Sequence, residues 1–145
     1  MKKTILAMTA LALLATGTAQ ASDRKVMTPI DAAMSDNNAQ EKLAGVKFYF
    51  GNQPTPKVLK KLGSDTTSQK TNAFAKTDSK VCNWVFLSAM ERLHHRAMEL
   101  GANAVVNIVS NYENIEYSSP TEFECHVGGI MGGVALKADF VKIAD

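Results

Sequence analysis

Residues 79–109 decide the fold, and they read SKVCNWVFLSAMERLHHRAMELGANAVVNIV. Their first part predicts an amphipathic helix from about Ser79 to Leu100, with Ser79 as the N-cap and Gly101 just past the end. One apolar stripe at helical spacing is formed by Cys82, Phe86, Ala89, Leu93, Ala97 and Leu100. The apolar run that follows predicts a strand over 104–109, so we expect the stripe to face a sheet.

The chain downstream predicts the return strand of this sheet. Period-two alternation over 121–127 places three residues on the inner side, namely Phe123, Cys125 and Val127. The alternation changes parity after Gly128 and Gly129, and a bulge at paired glycines can absorb such a slip. We therefore expect residues 121–142 to form one long strand that bends near Gly128–Gly133.

The chain upstream, residues 22–78, is expected to form an N-terminal extension with one or two strands. The β-branched and aromatic run 46–50 predicts a strand, and a short helix is expected to begin at Pro29. Residues 63–71 are rich in Ser, Thr and Asp and predict a loop, while the polar residues 22–25 are expected to be frayed.

These elements predict an α+β fold, in which residues 22–145 form a single globular domain. Its core is expected to be a two-layer β-α-β-β unit with one long helix on an antiparallel sheet, in which residues 79–145 supply the helix and a β-hairpin.

The first 21 residues have the pattern of a secretory signal peptide. Lys2 and Lys3 form a basic start, an apolar run follows, and Ala19-Gln20-Ala21 matches a cleavage site. No cysteine directly follows the apolar run, which argues against a lipid anchor. We therefore expect a periplasmic protein with no membrane span once the signal is removed.

Charge argues against nucleic-acid binding. The chain has 16 basic and 14 acidic residues, and the two numbers become equal when Lys2 and Lys3 leave with the signal. No basic block that could follow a phosphate backbone is present.

Cys82 and Cys125 are the only cysteines, and an exported chain meets an oxidising environment. They predict one disulfide, which would join the first turn of the helix to the inner side of the return strand. In the chain-entropy model a link of this span stabilises the fold by about 4 kcal/mol. A free buried thiol and a soft metal ligand are the alternatives.

Catalytic signatures are absent from the sequence. It has no phosphate-binding loop, no H-E-x-x-H and no G-x-S-x-G, so we expect no catalytic residues and no cofactor. His94 and His95 point about 100° apart on the helix, and His126 is expected to face away from Cys125. No metal site is predicted; a small-ligand or metal-binding protein that uses these histidines is the alternative function.

A second apolar face of the helix is the candidate contact surface. Trp84, Leu87 and Met98 follow helical spacing away from the core stripe. Either the N-terminal extension covers this face, or it binds another chain, since tryptophan is enriched at binding hot spots. We assign the interaction surface to these three residues and to the glycine bend, formed by Gly128, Gly129, Gly132 and Gly133.

The stretch Ala97-Met98-Glu99-Leu100-Gly101-Ala102-Asn103-Ala104-Val105-Val106 resembles the helix-to-strand junction of the YbjQ-like superfamily, which includes the lipoprotein sensor of the Rcs envelope-stress phosphorelay. The ending Gly133-Val-Ala-Leu-Lys137 also fits. The resemblance covers about 79–142 and implies a β-α-β-β domain that is often oligomeric. The resemblance identifies no functional residues in this chain.

The whole chain is similar to a group of small exported proteins of unknown function. The shared segments are Phe48–Gly51, the Cys82-x-Trp84 helix start and Glu124–His126. Some members carry the label of an excision-repair ATPase subunit, which this sequence does not support because it lacks a nucleotide-binding loop. We expect a non-enzymatic interaction protein of the cell envelope with a role in stress or surface sensing, with an envelope protein or a second copy as its partner.

Overall fold

A computed structural model describes residues 23–145, and the predicted signal peptide lies outside them. The described chain has one long helix, two short helices and six strands in a curled mixed sheet, which confirms the α+β class. In chain order the elements are β1 (Arg24–Pro29), α1 (Ile30–Met34), α2 (Ala39–Lys42), β2 (Lys47–Phe50), β3 (Val58–Asn72), α3 (Asp78–Leu100), β4 (Ala104–Ser110), a 3-10 turn (Tyr112–Asn114), β5 (Glu122–Val127) and β6 (Met131–Ile143).

Helix α3 begins at Asp78, and its N-cap lies two residues before the predicted N-cap, Ser79. Thr77 is the N-cap, because its side chain accepts a hydrogen bond from the backbone N–H of Lys80 at 3.3 Å. The helix ends at Gly101, whose left-handed backbone (φ 72°) suits a residue without a Cβ. Most of the predicted stripe is buried, with Leu100 half-buried at its end, and the helix packs on β3, β5 and β6.

Strand β6 is the centre of the sheet. It pairs with β3 along one side, from Val58↔Ile143 to Asn72↔Met131. Its other side pairs with β4 through its second half and with β5 through its first residues. The outer strands are β1, antiparallel to β5, and β2, which is parallel to β4, so the expectation of an antiparallel sheet is wrong at this one pair.

The prediction of one bent strand over 121–142 is wrong, because the chain reverses direction at Gly128–Ile130. His126 pairs with Gly133 and Val127 with Gly132, and the N–H of Gly128 donates to the carbonyl of Met131 at 2.8 Å. The glycine pair thus makes a hairpin turn, not a bulge. The inward residues of both strands are buried as predicted, because a hairpin lets each strand keep its own parity.

The extension 22–78 contributes three strands to the common sheet, not one or two. The predicted loop 63–71 is part of β3, whose polar composition reflects its exposure at the edge of the sheet. The predicted fraying at 22–25 is wrong for Arg24 and Lys25, which pair with Val127 and His126 in β1. Arg24 also forms a two-point ion pair with Asp78 at 2.7 and 3.0 Å.

The core lies between α3 and the sheet and is closed by the α1–α2 segment. Phe86 stacks on Phe123 with 4.1 Å between ring centroids, and Phe50 lies 6.0 Å from Phe86. Residues Ile30, Ala33, Ala39 and Leu43 belong to the same buried cluster. Within residues 23–145 no helix has the length and apolar character needed to cross a membrane.

Candidate functional site

The predicted disulfide is present and fixes the start of α3 to β5. Cys82 and Cys125 are joined with 5.9 Å between their Cα atoms, and both residues are fully buried. The link lies beneath the end of the molecule where β3 ends and the β5–β6 turn lies. It therefore holds in place the two elements that carry the predicted contact residues.

The three helix residues of the predicted interaction surface do not form one surface. Trp84 and Met98 are 50% and 57% exposed, but Leu87 is only 3% exposed, so its assignment to an open surface is wrong. The α1–α2 segment packs on this side of α3 and contributes to the core cluster that contains Leu87. At about 1.5 Å per residue, Met98 lies roughly 20 Å from Trp84 along the helix axis.

Trp84 lies at the end of the helix that carries the disulfide. The ammonium of Lys42 is 5.5 Å from its ring centroid and 3.5 Å from a carboxylate oxygen of Glu91. On its other side Trp84 borders a small hollow together with Asn72 and Lys76. Trp84 is therefore next to the point where β3 ends.

Three further exposed apolar residues lie at this end of β3. The N–H of Ala73 donates to the carbonyl of Ile130 at 2.7 Å, which joins the end of β3 to the β5–β6 turn. The neighbouring side chains Phe74, Ile130 and Met131 are 69%, 67% and 45% exposed. We call these three residues and Trp84 the apolar tip.

The glycine bend lies beside the apolar tip, and its glycines have different surroundings. Gly129 is exposed in the turn, and Gly128 and Gly133 are half-buried. Gly132 is buried against α3, where a Cβ would overlap the Val81 side chain. The bend therefore places Ile130 and Met131 at the surface while Gly132 allows α3 to approach.

Sequence reasoning missed Phe74, Ile130 and Met131. Each is an apolar residue inside a turn or at a strand end, in the stretches Asn72–Lys76 and Gly128–Gly133. An apolar residue between glycines has no helical or strand periodicity, so only its exposure in a folded chain identifies it.

The two helix histidines have separate local partners. His94 Nε2 is 2.8 Å from the carbonyl of Ala44, so this side chain ties the end of α2 to α3. His95 Nδ1 is 3.4 Å from a carboxylate oxygen of Glu99, one turn further along the exposed face. Neither histidine is near His126. Among residues 23–145, no group of three or more His, Cys, Asp or Glu side chains could hold a metal ion.

His126 forms a buried pair with Glu124. The two residues lie two apart on β5, and His126 Nε2 is 2.6 Å from Glu124 Oε1. Their side chains are only 12% and 10% exposed, and the ammonium of Lys25 lies 3.9 Å from the same carboxylate oxygen. Because a carboxylate only accepts, a neutral imidazole in this pair has its proton on Nε2 and leaves Nδ1 as an acceptor.

Tyr112 covers the imidazole of His126. The two rings stack with 3.4 Å between centroids and 9° between planes, and the phenol donates to Asp23 Oδ2 at 3.3 Å. Burial raises the pKa of Tyr112, and the carboxylates of Asp23 and Glu113 raise it further. Tyr112 therefore stays a neutral hydrogen-bond donor at neutral pH.

An open cleft of about 490 Å³ runs past this stack and ends at the apolar tip, where Met131 borders both. One wall is β3 and the other is the 3-10 turn. Its polar lining consists of Asp23, Thr66, Thr67, Ser68, Lys70, Asn111, Tyr112, Glu113, Asn114 and His126.

No family model, curated protein or solved structure matches this chain. The resemblance to the YbjQ-like superfamily therefore stays a prediction.

Proposed function

We propose that this chain is an exported, non-enzymatic protein of the cell envelope that binds another envelope protein through the apolar tip. The main support for the proposal is the apolar tip. Three separate chain segments, at Phe74, Trp84 and Ile130–Met131, bring large apolar side chains to one end of the fold and leave them 45–69% exposed.

Physical chemistry favours a contact role for such a cluster. Single exposed apolar residues are ordinary on a protein surface, whereas clustered ones mark interaction sites. Each side chain buried by a partner removes apolar area from water, at about 25 cal/mol per Å² before the costs of association. Trp84 is the residue type that most often dominates such contacts.

Charge at the edge of the tip indicates the chemistry of the partner. Lys76 and Lys80 border the hollow beside Trp84, and Lys42 lies against its ring. A surface that is apolar at its centre and acidic at its rim would complement this end of the molecule.

Export is part of the proposal and has two supports. The N-terminal pattern Lys2-Lys3, apolar run and Ala-Gln-Ala is that of a cleaved signal. The buried Cys82–Cys125 disulfide is the kind of link that persists in an oxidising compartment.

Site-specific photo-crosslinking in intact cells tests the proposal. A photoreactive residue at Phe74 is expected to give a covalent adduct with a second envelope protein. The same residue at Leu59 is the matched control, because Leu59 is 62% exposed but lies at the opposite end of β3. Ile130→Ser is expected to reduce the adduct at least threefold.

Two results would overturn the proposal. Equal adducts from positions 74 and 59 would mean that the tip has no special affinity. An adduct made of two copies of this chain would assign the tip to self-association.

A further inference from the structure

We infer that the cleft between β3 and the 3-10 turn binds a neutral carbohydrate through its hydroxyl groups. The inference rests on the lining of the cleft and is independent of the partner proposed for the apolar tip.

His126 presents a free acceptor to the cleft. Its Nε2 is bound to Glu124, and Nδ1 has no partner among the described residues. Because His126 lines the cleft, Nδ1 is the ring nitrogen left for a ligand there. An imidazole whose tautomer is fixed by a carboxylate offers this nitrogen as an acceptor for a ligand O–H.

The surroundings hold this acceptor in one orientation. Tyr112 stacks on the ring from one side. The backbone N–H of Glu124 donates to the buried hydroxyl of Ser110 at 2.9 Å, which fixes the strand beneath the pair. Little side-chain freedom remains to be lost when a ligand binds, which favours affinity.

The walls match hydroxyl groups better than they match ions. Thr66 and Ser68, which share one face of β3, line one side with hydroxyls, and Asn111 and Asn114 line the other with amides. Hydroxyls and amides both donate and accept, as sugar hydroxyls do.

A strongly charged ligand fits less well. The cleft contains the carboxylates of Asp23 and Glu113 and the ammonium of Lys70. The two carboxylates oppose a phosphate or carboxylate ligand, and Lys70 opposes an amine.

The dimensions are also suitable. A volume of about 490 Å³ lies within the range of small-molecule sites, and the open ends allow the cleft to take part of a longer chain of sugar units.

Titration of the isotope-labelled oxidised protein with maltotetraose, cellotetraose and chitotetraose, followed by amide chemical shifts, tests the inference. At least one sugar is expected to move the amide signals of residues 66–68, 111–114 and 126 in a saturable way. His126→Ala is expected to weaken binding about tenfold, which corresponds to about 1.4 kcal/mol.

Two further variants test whether the sugar binds in the cleft. His95→Ala removes an exposed histidine of α3 that lies outside the cleft and is expected to leave binding unchanged. Ser68→Ala removes an exposed cleft hydroxyl without disturbing the buried pair, and it is expected to weaken binding at least threefold.

Three outcomes would overturn the inference: no saturable shift in the cleft with any of the three sugars, unchanged affinity in both His126→Ala and Ser68→Ala, or tighter binding of glycerol phosphate than of every neutral sugar. The last result would assign the cleft to an anion.

Discussion

Single residues decide how closely α3 approaches the sheet, and Gly132 is the clearest case. It lies in β6 directly under Val81, a side chain that is 1% exposed in the first turns of the helix. Protein interiors are packed densely enough that one added methyl group must displace a neighbour.

Gly132→Ala is therefore expected to lower the free energy of unfolding by about 1–3 kcal/mol. Gly129→Ala is the matched control, since a Cβ at Gly129 meets nothing within 4 Å, and its expected effect is within about 0.5 kcal/mol. Urea denaturation of the oxidised proteins measures both. Adding Val81→Ala to Gly132→Ala should relieve part of the overlap; equal stability of Gly132→Ala and Gly129→Ala would contradict the predicted packing.

The ion pair between Arg24 and Asp78 gives a pH dependence. Arg24 lowers the pKa of Asp78 through a hydrogen bond, so the pair stabilises the fold above the ordinary pKa of an aspartate, about 4, and this contribution is lost as the pH falls through the lowered value. Asp78→Asn is expected to reduce the melting temperature at pH 7 and to match the wild type near pH 2. The effect is small because the pair is exposed. Thermal unfolding at both pH values measures it, and a difference that persists at low pH would contradict this origin.

At the scale of elements, sequence patterns predict the parts whose apolar periodicity is strong. The stripe from Cys82 to Ala97, strand β4 and the inward residues of β5 and β6 are where the pattern places them, because burial on one face imposes that pattern. Residues 63–71 of strand β3 were predicted as a loop because the sheet edge exposes most of their side chains. Local composition carries no information about a strand that is held by backbone pairing to β6.

The predicted N-cap of α3 is Ser79, whereas the N-cap in the structure is Thr77. Thr77→Ala is expected to cost about 1 kcal/mol, because it removes the acceptor for the Lys80 N–H. Ser79→Ala, at the residue that the sequence predicts as N-cap, is expected to be nearly neutral because Ser79 is exposed inside the helix. Denaturation curves of the two variants measure the loss of stability in each. A larger loss in Ser79→Ala than in Thr77→Ala would place the N-cap at Ser79.

The candidate site was only partly predictable for a similar reason. Trp84, the glycine bend and His126 stand out in the sequence as rare or unusual residues. Their neighbours Phe74, Ile130 and Tyr112 come from distant segments, and only the pairing of β3, β5 and β6 brings them together. The burial of Leu87 depends on where α1 and α2 pack, which helical spacing does not specify.

At the scale of the whole molecule, the disulfide links the helical layer to the sheet. It joins residues 43 positions apart, and both ends lie in the core. Reduction is therefore expected to lower the stability of the whole domain, not of one loop.

The double variant Cys82→Ala, Cys125→Ala is expected to be about 2–5 kcal/mol less stable than the oxidised protein. Urea midpoints with and without dithiothreitol measure this. The reductant should shift the wild-type midpoint and leave the double variant unchanged. If the wild-type midpoint does not change although the disulfide is shown to be reduced, the disulfide has no stabilising role.

The central position of β6 has a consequence for biogenesis. This strand follows the other five strands in sequence, and it joins β3, the β1–β5 pair and the β2–β4 pair into one sheet. The β1–β5 and β2–β4 pairs can therefore form earlier, but the complete sheet cannot form until residues 131–143 have been synthesised. A sheet that forms this late would suit the proposed export, because a translocation channel admits only an unfolded chain.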